Sequence, residues 1–386
     1  MKNRTLFTMG TLALAVAGVL GTYTLGTQAT GKSSLKAPKY TVDATFPKPF
    51  KQEWVTGEVA GTCIDSHDHL FIVNRGFQTG GLVSPENLTA MASPPVIEFD
   101  REGNVVNSWG DPSLNTATQG TLAPGTNKVL PNGIHGCYVD YQDNVWIGGN
   151  GDGVVQKYSH GGQLLMQIGE KGLCDSATGA CGTPGDGNSS TTRLNQPADI
   201  AVDPANGDVY IADGYGNHRV VVFDKNGHYL RQWGSAGTGP GQFSPGGGGH
   251  PHCVVLGNDN LVYACDRAND RIHVFNKQGV LQRTIAVVPG TGTGGAGTAG
   301  SAWDLDFSPD RNQKLFFEAD GGNETLWTFD KVAGVIIGGL GQTGHQAGQF
   351  TFLHTVAVDS KGNIYTGETI GGRRVQKFVK GGGEDD

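Results

Sequence analysis

A formal charge of −8 over 386 residues, with no Lys/Arg cluster, argues against nucleic acid or an anionic membrane surface as the partner. The 63 glycines fall mostly at turns between β-branched apolar runs, a pattern foreign to both a low-complexity chain and a helical repeat.

Lys2 and Arg4 precede an apolar run from Leu6 to Leu25, followed by Thr27-Gln28-Ala29. A positive start, a hydrophobic run and a small-x-Ala site describe a secretory signal peptide over residues 1–29, the alternative being an uncleaved anchor. The mature chain is then expected to be secreted or periplasmic, where disulfides are permitted. Residues 30–39 read as a linker, 40–380 as one domain and 381–386 as a C-terminal tail.

The domain is an internal repeat. Its clearest copy is Gln196-Pro-Ala-Asp-Ile-Ala-Val-Asp, Gly207-Asp-Val-Tyr-Ile-Ala-Asp213, Arg219-Val-Val-Val-Phe223 and Gly227-His-Tyr-Leu-Arg-Gln-Trp233. Each piece is a short alternating or β-branched run bounded by Asn/Gly/Asp turn chemistry, so the unit reads as four antiparallel strands, A to D. The cadence recurs over Gly61–Gly110, Pro131–Gly169, Gln196–Gly234, Pro251–Val288, Ala302–Gly341 and Leu353–Phe378. Roughly 40 residues repeated six times predict an all-β fold, a six-bladed β-propeller of four-stranded antiparallel blades. The sixth copy has no fourth strand after Phe378, and the Pro-rich stretch Tyr40–Trp54 is expected to supply it.

Strand direction divides the two faces. A–B and C–D turns are short and share one face, whereas every long insertion lies on the other, including Gly76–Pro95 and the connectors before blades two to five. Elaboration on one side of a rigid scaffold marks the functional face. There, at the start of strand A in alternate blades, stand His135, His252 and His354; blades one, three and five carry Thr62, Ala198 and Trp303 in that register. Three imidazoles around the axis with an open fourth position suit zinc; taken singly, each would read as a channel histidine bonded to backbone. His67-Asp68-His69 looks like a metal motif but falls in a turn on the opposite face, and His250 is also out of register.

The B–C turns add a second layer. Asp213-Gly-Tyr215-Gly-Asn217-His-Arg219 is one residue longer than Asp266-Arg267-Ala-Asn269-Asp-Arg271, and the extra length projects Tyr215. Arg75 shares the register of Arg267. Two guanidiniums and a phenol near three imidazoles describe a pocket for a small carboxylate with a general base beside it. The first Asp and last Arg of each turn read as structural.

Six cysteines suit the exported compartment. Cys253 and Cys265 face each other across the blade-four hairpin, and Cys174 and Cys181 flank a short loop. Cys63 and Cys137 are left over and pair only by elimination, since six cysteines allow fifteen connectivities.

Nearly all of residues 40–380 resembles the NHL-repeat propellers. Residues 196–275 more closely resemble peptidyl-α-hydroxyglycine α-amidating lyase, through Gln196-Pro-Ala-Asp-Ile-Ala-Val, Asp213-Gly-Tyr-Gly-Asn-His-Arg, Gln232-Trp-Gly, Pro240-Gly-Gln-Phe, Pro251-His252 and Asp266-Arg267. That resemblance implies His135, His252 and His354 as zinc ligands, Tyr215 as catalytic base, Arg75 as its partner and Arg267 as the contact for a substrate carboxylate. It also implies a central calcium, but the acidic residue expected after the third histidine is Thr355 here. The cysteine expected after the tyrosine is Gly216. The function so implied is an exported zinc-dependent carbon–nitrogen lyase, a monomer, that cleaves a small-molecule or peptide α-hydroxyglycine carrying a carboxylate into an amide and glyoxylate. The alternatives are a non-catalytic propeller that binds a protein or glycan, or a metal-dependent lactonase or hydrolase.

Overall fold

A computed structural model describes residues 32–50, 53–76, 86–110, 130–182, 188–245, 248–291 and 299–381. The signal-peptide reading and all but the first residue of the tail lie outside them.

Six four-stranded antiparallel sheets follow one another around an axis, each with strand order A-B-C-D. Blade one is Val59–Ile64, Leu70–Asn74, Val96–Phe99 and Val105–Trp109; blade two is Ile134–Val139, Val145–Gly149, Val154–Tyr158 and Leu164–Gly169. Blade three is Asp199–Val202, Val209–Asp213, Arg219–Phe223 and Tyr229–Trp233; blade four is Val254–Leu256, Leu261–Asp266, Arg271–Asn276 and Leu281–Ala286. Blade five is Asp304–Phe307, Leu315–Asp320, Thr325–Asp330 and Val335–Leu340. Blade six has Leu353–Val358, Ile364–Glu368 and Val375–Lys380 from the end of the chain, and its outermost strand is Tyr40–Val42, antiparallel to residues 378–380.

The closing strand is shorter than Tyr40–Trp54. Pairing ends at Val42, Asp43 N still donates to Lys377 O at 2.8 Å, and Trp54–Val55 pairs in parallel with Met91–Ala92 of the blade-one insertion. Residues 32–39 run beside blade five, where Ser33 Oγ donates to Asp330 Oδ2 at 2.6 Å.

Two devices repeat. Aspartate at the A–B turn accepts N–H groups two and four residues on, as Asp140 Oδ1 does from Gln142 (2.9 Å) and Asn144 (3.0 Å). The last Arg of a B–C turn pairs with its first acid and spans to the connector: Arg219 Nε meets Asp213 at 2.9 Å, while its Nη1 and Nη2 donate to Ser190 O and Arg193 O, both at 2.8 Å. Arg271–Asp266 and Arg374–Glu368, each 2.7 Å, do the same. These bonds set the top-face connectors on a fixed frame.

Apolar residues of neighbouring blades interleave. Ile272, Val274 and Ile285 of blade four pack with Leu305, Phe307 and Phe316 of blade five, all buried. All six cysteines are oxidised: Cys63–Cys137 ties strand A of blade one to strand A of blade two, Cys174–Cys181 closes a connector loop, and Cys253–Cys265 crosses the blade-four hairpin. Cys63–Cys137 spans 74 residues, and closing a loop of that size removes about 4 kcal/mol of unfolded-state entropy. The double variant Cys63→Ser/Cys137→Ser is therefore expected to lose about 2–5 kcal/mol in denaturant unfolding. An unchanged midpoint would show that the bridge adds nothing.

Carboxylates also stitch blades together at the axis. Asp199 Oδ2 accepts from Val254 N (2.9 Å), Asp304 Oδ2 from Val356 N (2.9 Å) and Asp306 Oδ2 from Val358 N (2.8 Å). Burial pushes the Asp306 carboxyl up to about 7. A carboxyl that holds its proton more tightly when folded contributes stability that is full below its unfolded value, about 4, and is lost as pH rises toward 7. Asp306→Asn is therefore expected to flatten the fall in stability between about pH 4 and 7. Parallel profiles for the two proteins would remove Asp306 as the cause.

Candidate metal centre

Two of the three histidines sit at bulges, and His252 lies two residues before strand A of blade four. Strand pairing slips between Leu353 and Thr355, and between Ile134 and Cys137, and the residue inside the slip, His354 or His135, turns toward the axis. The same register places Ala60, not Thr62, opposite the triangle in blade one, because Val59 pairs with Asn74 and Gly61 with Val73. Ala60 lies two residues before Thr62, the position expected from the sequence.

The three rings meet edge to face, with centroids 4.9 Å (His135–His252), 4.7 Å (His135–His354) and 5.0 Å (His252–His354) apart. One ring nitrogen from each lies within 4.8 Å of the others. His135 Nδ1 donates to Ala198 O and His252 Nδ1 to Trp303 O, both at 2.7 Å. His354 Nδ1 points at the corresponding carbonyl, Ala60 O, without reaching full hydrogen-bond geometry. Each imidazole thus leans on the next blade, and the two bonds fix the Nδ1–H tautomer of His135 and His252 and leave their Nε2 lone pairs toward Tyr215 and the axis. Burial holds all three imidazoles well below their ordinary range. Arg75 adds to the effect at His135, Arg267 at His252, and His135 at His354. Three neutral, convergent nitrogens are the donor set of a borderline divalent ion such as zinc, and a poor one for calcium or magnesium.

Tyr215 reaches the same point. Its hydroxyl is 3.0 Å from His135 Nε2 and 3.2 Å from His252 Nε2, so it can donate to one of them at a time. The flanking glycines make this possible: a Cβ on Gly214 would stand 2.0 Å from Pro251 O, and one on Gly216 would stand 2.2 Å from the Asn195 side chain. The loop is pressed between two connectors, which aims the ring inward.

Arg267 is 7% exposed, and its guanidinium lies 4.4 Å from the Trp303 ring centroid and 5.9 Å from that of Tyr215. Among the described residues no carboxylate pairs with it, and its Nε has no hydrogen-bond partner. Burial lowers its proton affinity from the usual arginine value. A buried, stacked cation without a counter-ion has the charge and the free donor to accept an anion. Arg75 is anchored differently. Nη1 meets Glu58 Oε2 at 2.8 Å and Nε donates to Ile134 O at 3.0 Å. It stands beside the triangle, and no contact with the Tyr215 hydroxyl is formed. Glu58 and the cation-stacking face of Trp303 were not read from sequence; Trp303 had a signal in its register, whereas Glu58 is one acid among many.

Below the triangle a small cavity is lined by His135, His252, Asp199, Asp304 and Thr355. Asp199 and Asp304 occupy in blades three and five the register that Thr355 holds in blade six. Burial pushes Asp199 up to about 7 and Asp304 well above its ordinary value, with the Asp199 charge adding to the rise at Asp304.

The fold and site define a six-bladed propeller with a three-histidine cluster on its elaborated face, and residues 194–223 match the NHL repeat. The human NHL repeat-containing protein 3 is 27% identical over 88% of this chain and 84% of its own length. The probable peptidyl-alpha-hydroxyglycine alpha-amidating lyase of Caenorhabditis elegans is 30% identical over 57% of this chain. Peptidyl-glycine alpha-amidating monooxygenase B of Xenopus laevis is 29% identical, also over 57% of this chain. The similarity spans 56% of the nematode protein and 23% of the frog protein.

Proposed function

We propose that this protein is an exported zinc-dependent carbon–nitrogen lyase that cleaves a substrate of the form R–CO–NH–CH(OH)–COO⁻ into R–CO–NH2 and glyoxylate. The observation that carries this reading is the pairing of three neutral, convergent imidazoles with a buried Arg267 that no carboxylate among the described residues neutralises. His135, His252 and His354 would hold the ion. When bound, zinc supplies a Lewis acid that lowers the pKa of a hydroxyl oxygen beside it. Arg267 binds the substrate carboxylate and so sets which carbon faces the triangle. Tyr215 takes the hydroxyl proton; the carbinol C–O becomes C=O as the C–N bond breaks, and the proton is returned to the departing amide nitrogen. Arg75, held by Glu58, keeps a positive potential beside the triangle that favours neutral imidazoles at His135 and His354. Asp199 and Asp304, rather than a residue beside His354, are the carboxylates that a channel calcium would meet. Oxidised cysteines in blades one, two and four and in a connector suit an oxidising compartment.

The test is glyoxylate release from α-hydroxyhippurate by the purified, zinc-loaded chain; no release would sink the reading. Arg267→Gln is expected to raise KM by about 10–100-fold, the equivalent of 1.5–3 kcal/mol for a charged hydrogen bond. It should do so for the carboxylate substrate and not for its primary amide. Equal effects on both would remove Arg267 from carboxylate binding.

A second reading, a non-catalytic propeller that binds a protein or glycan on the same face, is favoured by the span of the match to human NHL repeat-containing protein 3, which runs along most of both chains. That reading expects no stoichiometric metal in the triangle.

A further inference from the structure

A second cluster of ligating side chains lies on the face opposite the triangle, between blades one and two. Asp65 belongs to the A–B turn of blade one, Glu98 to its strand C, and His160 to the C–D turn of blade two. One ligand atom from each lies within 4.8 Å of the others. His160 Nε2 is 3.1 Å from Glu98 Oε2 and 4.0 Å from Asp65 Oδ2. His69 Nδ1 stands 2.7 Å from the other Glu98 oxygen, Oε1, and 3.9 Å from Asp65 Oδ2.

Asp65 carries the argument. Its side chain is fully buried, and its two oxygens have different fates. Oδ1 accepts the backbone N–H groups of His67 (2.9 Å) and His69 (2.8 Å), which holds the turn. Oδ2 points into the cluster and has no hydrogen-bond partner. A buried carboxylate oxygen left without a donor costs on the order of 1–3 kcal/mol or more. The imidazole nitrogens of His67, His69 and His160 stand 3.8, 3.9 and 4.0 Å from it, beyond hydrogen-bond reach. Hydrogen bonding does not satisfy Oδ2; a cation set among Asp65, Glu98 and His160 would.

We propose that Asp65, Glu98 and His160 form a second divalent-metal site that clamps blade one to blade two, with His69 orienting Glu98 through Oε1. Two carboxylates and one imidazole from three separate elements suit a first-row ion of the zinc or manganese type, with water completing the coordination where His160 is partly exposed. Ligating carboxylates are themselves hydrogen-bonded, and loss of such a supporting partner weakens binding by about 10–100-fold, which is the role of His69.

The experiment uses the full purified chain, stripped with chelator and dialysed against defined free Zn²⁺, with bound zinc counted per chain. The expected result is one equivalent in this site beyond any in the triangle. Asp65→Asn and His160→Ala should each remove it, and His69→Ala should weaken it by about 10–100-fold. Asp65→Asn keeps an amide oxygen for the turn, and His160→Ala changes a half-exposed side chain, so at least one of the two variants should fold. His354→Ala separates this site from the triangle: it should leave the equivalent that Asp65→Asn and His160→Ala remove. A chain whose zinc content is unchanged by both Asp65→Asn and His160→Ala overturns the proposal, whatever the triangle holds.

Discussion

Tyr215→Phe is expected to lower glyoxylate release from α-hydroxyhippurate by about 10²–10⁴-fold, the usual worth of a positioned general base, with little change in KM. The phenyl ring keeps the packing that Gly214 and Gly216 allow, so thermal unfolding should be unchanged. Only the hydroxyl is lost, and with it the group lying 3.0 and 3.2 Å from two of the three inward nitrogens. Because the variant leaves all three imidazoles in place, its zinc content should match the parent's. Parent-like turnover by Tyr215→Phe would take the phenol out of the chemistry, and a loss of metal would make it a ligand instead of a base.

Removal of any one imidazole should have an effect as large, and of a different kind. His135→Ala, His252→Ala and His354→Ala are each expected to lose the ion of the triangle and all lyase activity, whereas His67→Ala should keep both. Zinc in this centre should also fall away as pH drops. All three imidazoles are held below their ordinary range by burial, so the unfolded chain takes up protons at these positions before the folded one does. Their neutral state therefore contributes stability that is present above the ordinary histidine value, about 6.5, and is lost as pH falls below it. Protonated imidazole cannot ligate, so acid competes directly with zinc. Full retention of that ion in any one of the three alanine variants, measured by elemental analysis, would mean that the triangle is not the centre, and the lyase reading would fall with it.

Much of this was legible in the chain because a propeller is a repeat. Four short strands whose apolar residues alternate with turn chemistry cannot bury both faces alone, and six such units leave little choice but a ring. Repetition also lets residues be compared with one another, which is how three histidines in alternate blades stood out from eleven in the sequence. The same comparison placed Tyr215, since one turn was longer than its counterparts. It failed where the repeat is locally broken. In blade one the histidine register falls at Ala60 and not at Thr62, as the pairing of Val59 with Asn74 and of Gly61 with Val73 shows. The stretch Tyr40–Trp54 supplies the closing strand as expected, through Tyr40–Val42, while Trp54 pairs with the blade-one insertion.

Local pattern thus determined blade number, strand order, the face that carries the insertions and the register of the three imidazoles, all of which depend on neighbours in sequence. Tertiary structure alone decided which groups have partners. The isolation of Arg267 against Trp303, the pairing of Arg75 with Glu58, the buried carboxylates Asp199 and Asp304 bonded to the next blade, and the orphaned oxygen of Asp65 facing His160 each join residues from different turns or blades. The reason is physical: a charge's function is set by its burial and its counter-ion, and both belong to the packed ring, not to the strand that bears the residue.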